Sequence, residues 1–84
     1  MKPIRLSHHA AGYRPSRGFT IAEVETAIRS GVWRPAVLGR LEAHVDLGFN
    51  AEWNGTWYAT KRVRPVFVDE PAEIVVVTVY TYYF

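Results

Sequence analysis

The sequence predicts an α+β domain, with N-terminal helices packed on one face of an antiparallel sheet of about four strands. Three observations predict it. Glu73 to Phe84 is almost wholly β-branched or aromatic and carries no charge after Glu73, as a buried strand requires. Thr20-Ile21-Ala22-Glu23 has the capping-box pattern and opens an apolar stripe at helical spacing. Arg40 to Leu47 alternates apolar with polar and leads to Asn54-Gly55, a type I′ hairpin signal.

Taken in order, Lys2 to Leu6 reads as a short edge strand, with Pro3 near its start where a missing N–H matters least. Ser7 is an N-cap for a short helix from His8 to about Tyr13. Gly12 weakens that helix, and Pro15 ends or kinks it by disfavouring helical geometry at Arg14. Residues 21–30 form the main helix, with Phe19 and Val24 at staple positions and Ser30-Gly31 as the stop. Gly31 to Gly39 connects it to the sheet, with Trp33 tucked against the core. In the next strand Leu41, Ala43, Val45 and Leu47 point inward, and Glu42, His44 and Asp46 outward. Thr56 to Val68 is one strand or two short ones, with Pro65 marking an edge or a bulge. Residues 69–72 turn the chain into the last strand, read as the central one and buried on both faces. Strict alternation puts Ile74, Val76, Thr78, Tyr80 and Tyr82 on one face and Val75, Val77, Val79, Thr81 and Tyr83 on the other. The helices cover one sheet face and leave the other free to bind.

The chain of 84 residues makes one domain, residues 1–84, with a small core. The absence of Cys excludes a disulfide framework and any Cys-based metal site. Adjacent His8 and His9 diverge by about 100° on a helix and chelate one ion poorly, so no metal or other cofactor is expected. No stretch reads as a signal peptide or a membrane span, which predicts a cytoplasmic protein. A net charge of +2 is ordinary, but its distribution is uneven. Residues 1–20 hold Lys2, Arg5, Arg14 and Arg17 with no acid, and residues 56–68 hold Lys61, Arg62 and Arg64 with no acid. Two such segments can converge on an anion, for which phosphate is the usual candidate.

Ser7-His8-His9-Ala10, Arg17-Gly18-Phe19-Thr20, Glu23-Val24, Ala27-Ile28 and the closing Val77-Thr78-Val79-Tyr80 form a wider pattern. It resembles a family of small uncharacterised bacterial domains in the barnase–EndoU–colicin–RelE superfamily of metal-independent ribonucleases. The resemblance spans about Ile4 to Tyr80. It implies a RelE/barnase-like fold and a toxin-like endoribonuclease acting on single-stranded or ribosome-associated RNA. It also implies an antitoxin or immunity protein as partner. His9 matches the family His, Arg17 its Arg before Gly, and Thr78 and Tyr80 its closing strand pair, while Lys61 matches a basic position more loosely. Tyr13 stands where many members carry Arg, and Pro15 interrupts the first helix.

The residue chemistry runs beside that resemblance. Positions i, i+4 and i+8 bring His9, Tyr13 and Arg17 near one helix face. Imidazole suits proton transfer near neutral pH, and the Arg fork suits phosphate. The candidate catalytic set is therefore His9, Arg17, Thr78 and Tyr80, with Lys61, Arg62, Arg14 and Tyr13 as RNA or phosphate contacts. His44 is a second-choice acid or base. Each also has a plainer use: His9 lines a helix, Thr78 is a β-former, and Lys61, Arg62 and Arg64 guard an edge. A module of the same fold that binds RNA or protein without cleaving is the alternative, favoured by Tyr13. The uncharged end, Thr81 to Phe84, is a candidate docking strand for an inhibitor or a second copy.

Overall fold

The computed structural model describes residues 2–84. It is α+β, with three short helices and a mixed six-stranded sheet. Strand β1 is Ile4–Leu6, followed by helices α1 (His8–Gly12), α2 (Arg14–Arg17) and α3 (Ile21–Ser30). Then come β2 (Arg34–Pro35), a 3₁₀ turn at Val37–Gly39, β3 (Leu41–Glu42), β4 (Val45–Trp53), β5 (Thr56–Asp69) and β6 (Ile74–Tyr83). Strand order is β1-β6-β5-β3-β2, and β4 also pairs β5.

Local chemistry sets the helix ends as expected. Ser7 Oγ accepts from Ala10 N at 3.1 Å and caps α1. Pro15 then lies in the first turn of α2, where its missing N–H has no intrahelical acceptor to lose. The proline thus starts a second short helix as well as ending the first. Around α3 the reciprocal box is complete. Glu23 N donates to Thr20 Oγ1 at 3.1 Å, and Thr20 N donates to Glu23 Oε1 at 2.8 Å. Val24, Ala27 and Ile28 are the buried stripe of that helix. With Phe19, Ala43, Val63, Phe67, Ile74, Val76 and Val79 they build the core between helices and sheet. Trp33 closes its edge, donating Nε1 to Ile28 O at 2.7 Å and meeting Phe67 edge-on at 5.0 Å between ring centroids.

The sheet departs from the expectation in four ways. It has six strands rather than about four, and β1 runs parallel to β6, pairing Ile4 to Ile74 through Leu6 to Val76. The hub is β5 rather than β6. Two hairpins flank β5, the Asn54-Gly55 turn leading in from β4 and the turn after Asp69 leading out to β6, so it alone has long partners on both sides. The helices cover one face, as expected, but β6 is not buried on both faces, because Tyr80 and Tyr82 on the other are exposed. Finally, strict alternation fails in β6. Val66 pairs Thr78 but Phe67 pairs Val76, so Val77 is an extra, bulged residue. Ile74 and Val76 therefore share the core face with Val79, Thr81 and Tyr83, while Thr78, Tyr80 and Tyr82 face outward.

The strand expected over Arg40–Leu47 is broken at Ala43–His44, although Leu41, Ala43, Val45 and Leu47 all reach the core. Pro65 explains the break. Its carbonyl accepts from Ala43 N at 3.3 Å, so its missing donor points to the same side. The gap between β3 and β4 falls where that donor is absent. This is how a proline is tolerated near the middle of the sheet.

Candidate functional site

The helix pair and the outward bulge of β6 build an open cleft of about 490 Å³. His9, Tyr13 and Arg17 form one wall. Their helical spacing survives the Pro15 kink. His9 and Tyr13 meet edge-to-face at 4.9 Å between centroids, and Arg17 Cζ lies 3.6 Å above the Tyr13 ring. Thr78 and Tyr80 form the floor, with Ser7 at one end. Ser7 Oγ donates to Val77 O at 3.5 Å, which ties the start of α1 to the bulge.

Arg17 is fixed from both sides. Its carbonyl accepts from Thr81 Oγ1 at 2.7 Å and Tyr83 Oη at 3.0 Å. Gly18 follows in the left-handed region, φ 71°, and a Cβ there would lie 2.5 Å from Trp53 and 2.8 Å from the Tyr83 hydroxyl. Only glycine fits that corner. The guanidinium turns back across the edge of β6, donating Nη1 to Val79 O at 2.7 Å and to Thr78 Oγ1 at 3.4 Å. Tyr80 flanks it, with its ring centroid 5.1 Å from Arg17 Cζ. No carboxylate pairs with Arg17 among the described residues.

The structure thus brings together His9, Tyr13, Arg17, Thr78 and Tyr80, and places the other named residues elsewhere. Lys61 is 5% exposed, beneath the α2–α3 corner. Its ammonium donates to Gly18 O and, at 2.8 Å, to Glu23 Oε1. It faces the helices because Lys61 shares the core face of β5 with Val63, so it is a buried structural cation, out of reach of a ligand in the cleft. Arg62 lies on the opposite face and forks onto Asp46 at 2.6 and 3.0 Å. That hydrogen-bonded guanidinium holds the Asp46 carboxyl below its usual range. Arg62 lines neither this cleft nor the one beside it. Arg14 is exposed on α2 and also lines neither. His44 sits in the β3–β4 gap, away from both.

Arg40 was not among the expected site residues. It enters the cleft from the loop ahead of β3, opposite the helix wall, and has no carboxylate partner among the described residues. Its backbone is pinned at both ends of the turn, with Ala36 N donating to Arg40 O at 2.8 Å and Arg40 N to Val37 O at 3.2 Å. No local pattern in the sequence connects Arg40 with His9. The connection is made by pairing, since β3 joins β5 and β5 joins β6, so that Glu42, Val66 and Thr78 form one row across the sheet.

The cleft therefore has one imidazole, two unpaired guanidiniums, three further hydroxyls besides that of Tyr13, and no acid in its lining. Such a set suits an anion with an adjacent proton to move. Among the described residues no group of three or more His, Asp or Glu gathers as a metal site would require. No family model, curated protein or solved structure matches the chain.

Proposed function

We propose that this cleft binds RNA and cleaves it without a metal, on a RelE/barnase-like scaffold. The observation that carries the reading is the meeting of His9, Tyr13 and Arg17 from the helices with Thr78 and Tyr80 from β6 in a cleft whose lining holds no carboxylate. Arg17 holds the scissile phosphate through the donors it does not spend on Val79 and Thr78. His9 is the general acid or base. It takes the proton of the ribose 2′-OH as that oxygen attacks phosphorus, or gives one to the 5′-oxygen as its bond to phosphorus breaks. The products are a 2′,3′-cyclic phosphate and a 5′-hydroxyl. Tyr80 offers its ring to a single-stranded base, and Tyr13, stacked under Arg17, offers its hydroxyl.

The test is a labelled RNA incubated with the protein in excess EDTA, beside His9→Ala and Arg17→Ala. Cleavage by the parent is expected, slowed by about 100-fold or more in His9→Ala. An unchanged rate in His9→Ala would remove its role. One observation favours a second reading, binding without cleavage: the His9 ring makes no hydrogen bond among the described residues that would fix its tautomer. Intact RNA with salt-dependent binding would select it. On the nuclease reading the chain has an antitoxin or immunity protein that covers the cleft, and expression without that partner poisons the cell. The uncharged end of β6 is also the proposed contact for a second copy.

A further inference from the structure

A second open cleft of about 520 Å³ adjoins the first and shares Arg40, Thr78 and Tyr80 with it. Its size lies in the range of about 300–1,000 Å³ in which ligand sites fall. One wall is the chain at residues 35–37, and the floor is the outward face of β5 and β6 around Val66 and Tyr80. Arg64 stands at the far side, with Cζ 4.8 Å from the Tyr80 ring centroid. Its charge is already balanced by Glu42, whose Oε2 accepts from Nη1 at 3.0 Å, and Nη2 donates to Tyr82 Oη at 2.8 Å. The two clefts thus differ in chemistry. Beyond the shared Arg40, Thr78 and Tyr80, the first adds the imidazole of His9 and the cation of Arg17, whereas the second adds apolar walls and a neutralised ion pair.

We infer that the second cleft is a base-binding subsite for the nucleotide next to the phosphate held in the first, and that Arg40, on the boundary, clamps that phosphate opposite Arg17. This rests on the ribonucleotide reading of the first cleft. The ligand is therefore a single-stranded segment that crosses Tyr80, with a phosphate between Arg17 and Arg40 and an unstacked base against Tyr80. Arg40 also supplies, from the other wall, the second cation that Tyr13 does not provide on the helix.

The experiment measures binding of fluorescent 2′-O-methyl RNA probes, which have no free 2′-OH to attack. The probes are a mononucleotide bisphosphate, a trinucleotide, and trinucleotides made abasic at each position in turn. The parent should bind the trinucleotide about tenfold or more tighter than the mononucleotide, and one abasic position should cancel that gain. Ala36→Trp, which fills the second cleft from an extended loop position, should abolish the gain. Arg40→Ala, whose side chain makes no ion pair among the described residues, should weaken mononucleotide and trinucleotide together by about tenfold. Equal binding of the intact and every abasic trinucleotide would overturn the subsite while leaving the first cleft standing. Mononucleotide affinity unchanged in Arg40→Ala would overturn the clamp. A parent that binds none of the probes would overturn the ribonucleotide reading and the subsite with it.

Discussion

Arg17 carries two loads, and they fall on different atoms. Its carbonyl is fastened to β6 by the Thr81 and Tyr83 hydroxyls, and its guanidinium is stacked on Tyr13 and flanked by Tyr80. The fastening and the cleft can therefore be separated by mutation. Tyr83 is the informative residue. Its ring lies parallel to Trp53 at 4.9 Å and edge-on to Phe49 at 5.1 Å, and this burial pushes its phenol above the ordinary value. The fold thus favours the neutral phenol. The corresponding stability is fully present below about pH 10 and is lost as pH rises through the folded-state value. Tyr83→Phe gives up one hydrogen bond to Arg17 O, which Thr81 still holds, and should cost about 1 kcal/mol at neutral pH. It should also flatten the alkaline decline. Urea midpoints at neutral pH and above about pH 10 measure both effects. An equal alkaline slope in parent and variant would show that Tyr83 does not set that limb.

At the scale of elements, α3 was legible because its signals are local. The hydroxyl at Thr20, the carboxylate at Glu23 and the stripe Val24, Ala27, Ile28 all lie within one short window. Structure adds that Glu23 Oε1 is shared, accepting from both Thr20 N and Lys61 Nζ. Thr20→Ala should therefore cost about 1 kcal/mol, the usual value of a cap. Glu23→Ala removes half the box and strands a buried ammonium as well, so it should cost about 3 kcal/mol. Chemical denaturation of the two variants ranks them, and equal losses would show that the Lys61 pair adds nothing. Lys61 itself shows where sequence reading stops. Its neighbours Arg62 and Arg64 form a basic run, but alternation along β5 turns Lys61 inward and the other two outward. The Val77 bulge was hidden for a similar reason. In an unbroken β-branched run every phase of alternation looks alike, and the extra residue shows only against its partner strand. The parallel pairing of β1 and the Ala43–His44 gap likewise depend on distant strands.

For the whole molecule, half the cleft was readable and half was not. His9, Tyr13 and Arg17 lie on one helical pair and Thr78 and Tyr80 on one strand, so short-range spacing groups each set. Arg40 and the second cleft arise from sheet order, which no window of sequence contains. Sheet order also decides which edges remain open. The β1 edge is short and is flanked by Pro3, and Arg5 on it pairs with Glu73. The free edge of β4 is distorted where its pairing slips between Gly48 and Ala51, with Asn50 at φ 46°. Charge, proline and irregularity of this kind discourage strand addition. Beyond the Val77 bulge and Val79, whose carbonyl accepts from Arg17, the edge of β6 has none of them. Pairing with β1 ends at Val76, and Thr81 to Phe84 carry no charge, with Tyr82 and Phe84 exposed at 43% and 56%. With β2, the edge strand at the other end of the sheet, reduced to Arg34–Pro35, this is the edge the fold leaves open among the described residues, and a few residues of pairing would support only a weak dimer. Sedimentation equilibrium should then show mass rising with concentration, and Phe84→Asp, which places a charge on the edge beyond the cleft, should return the chain to a monomer. A monomer at every concentration would leave that edge to a different protein, and association that survives Phe84→Asp would move the contact away from β6.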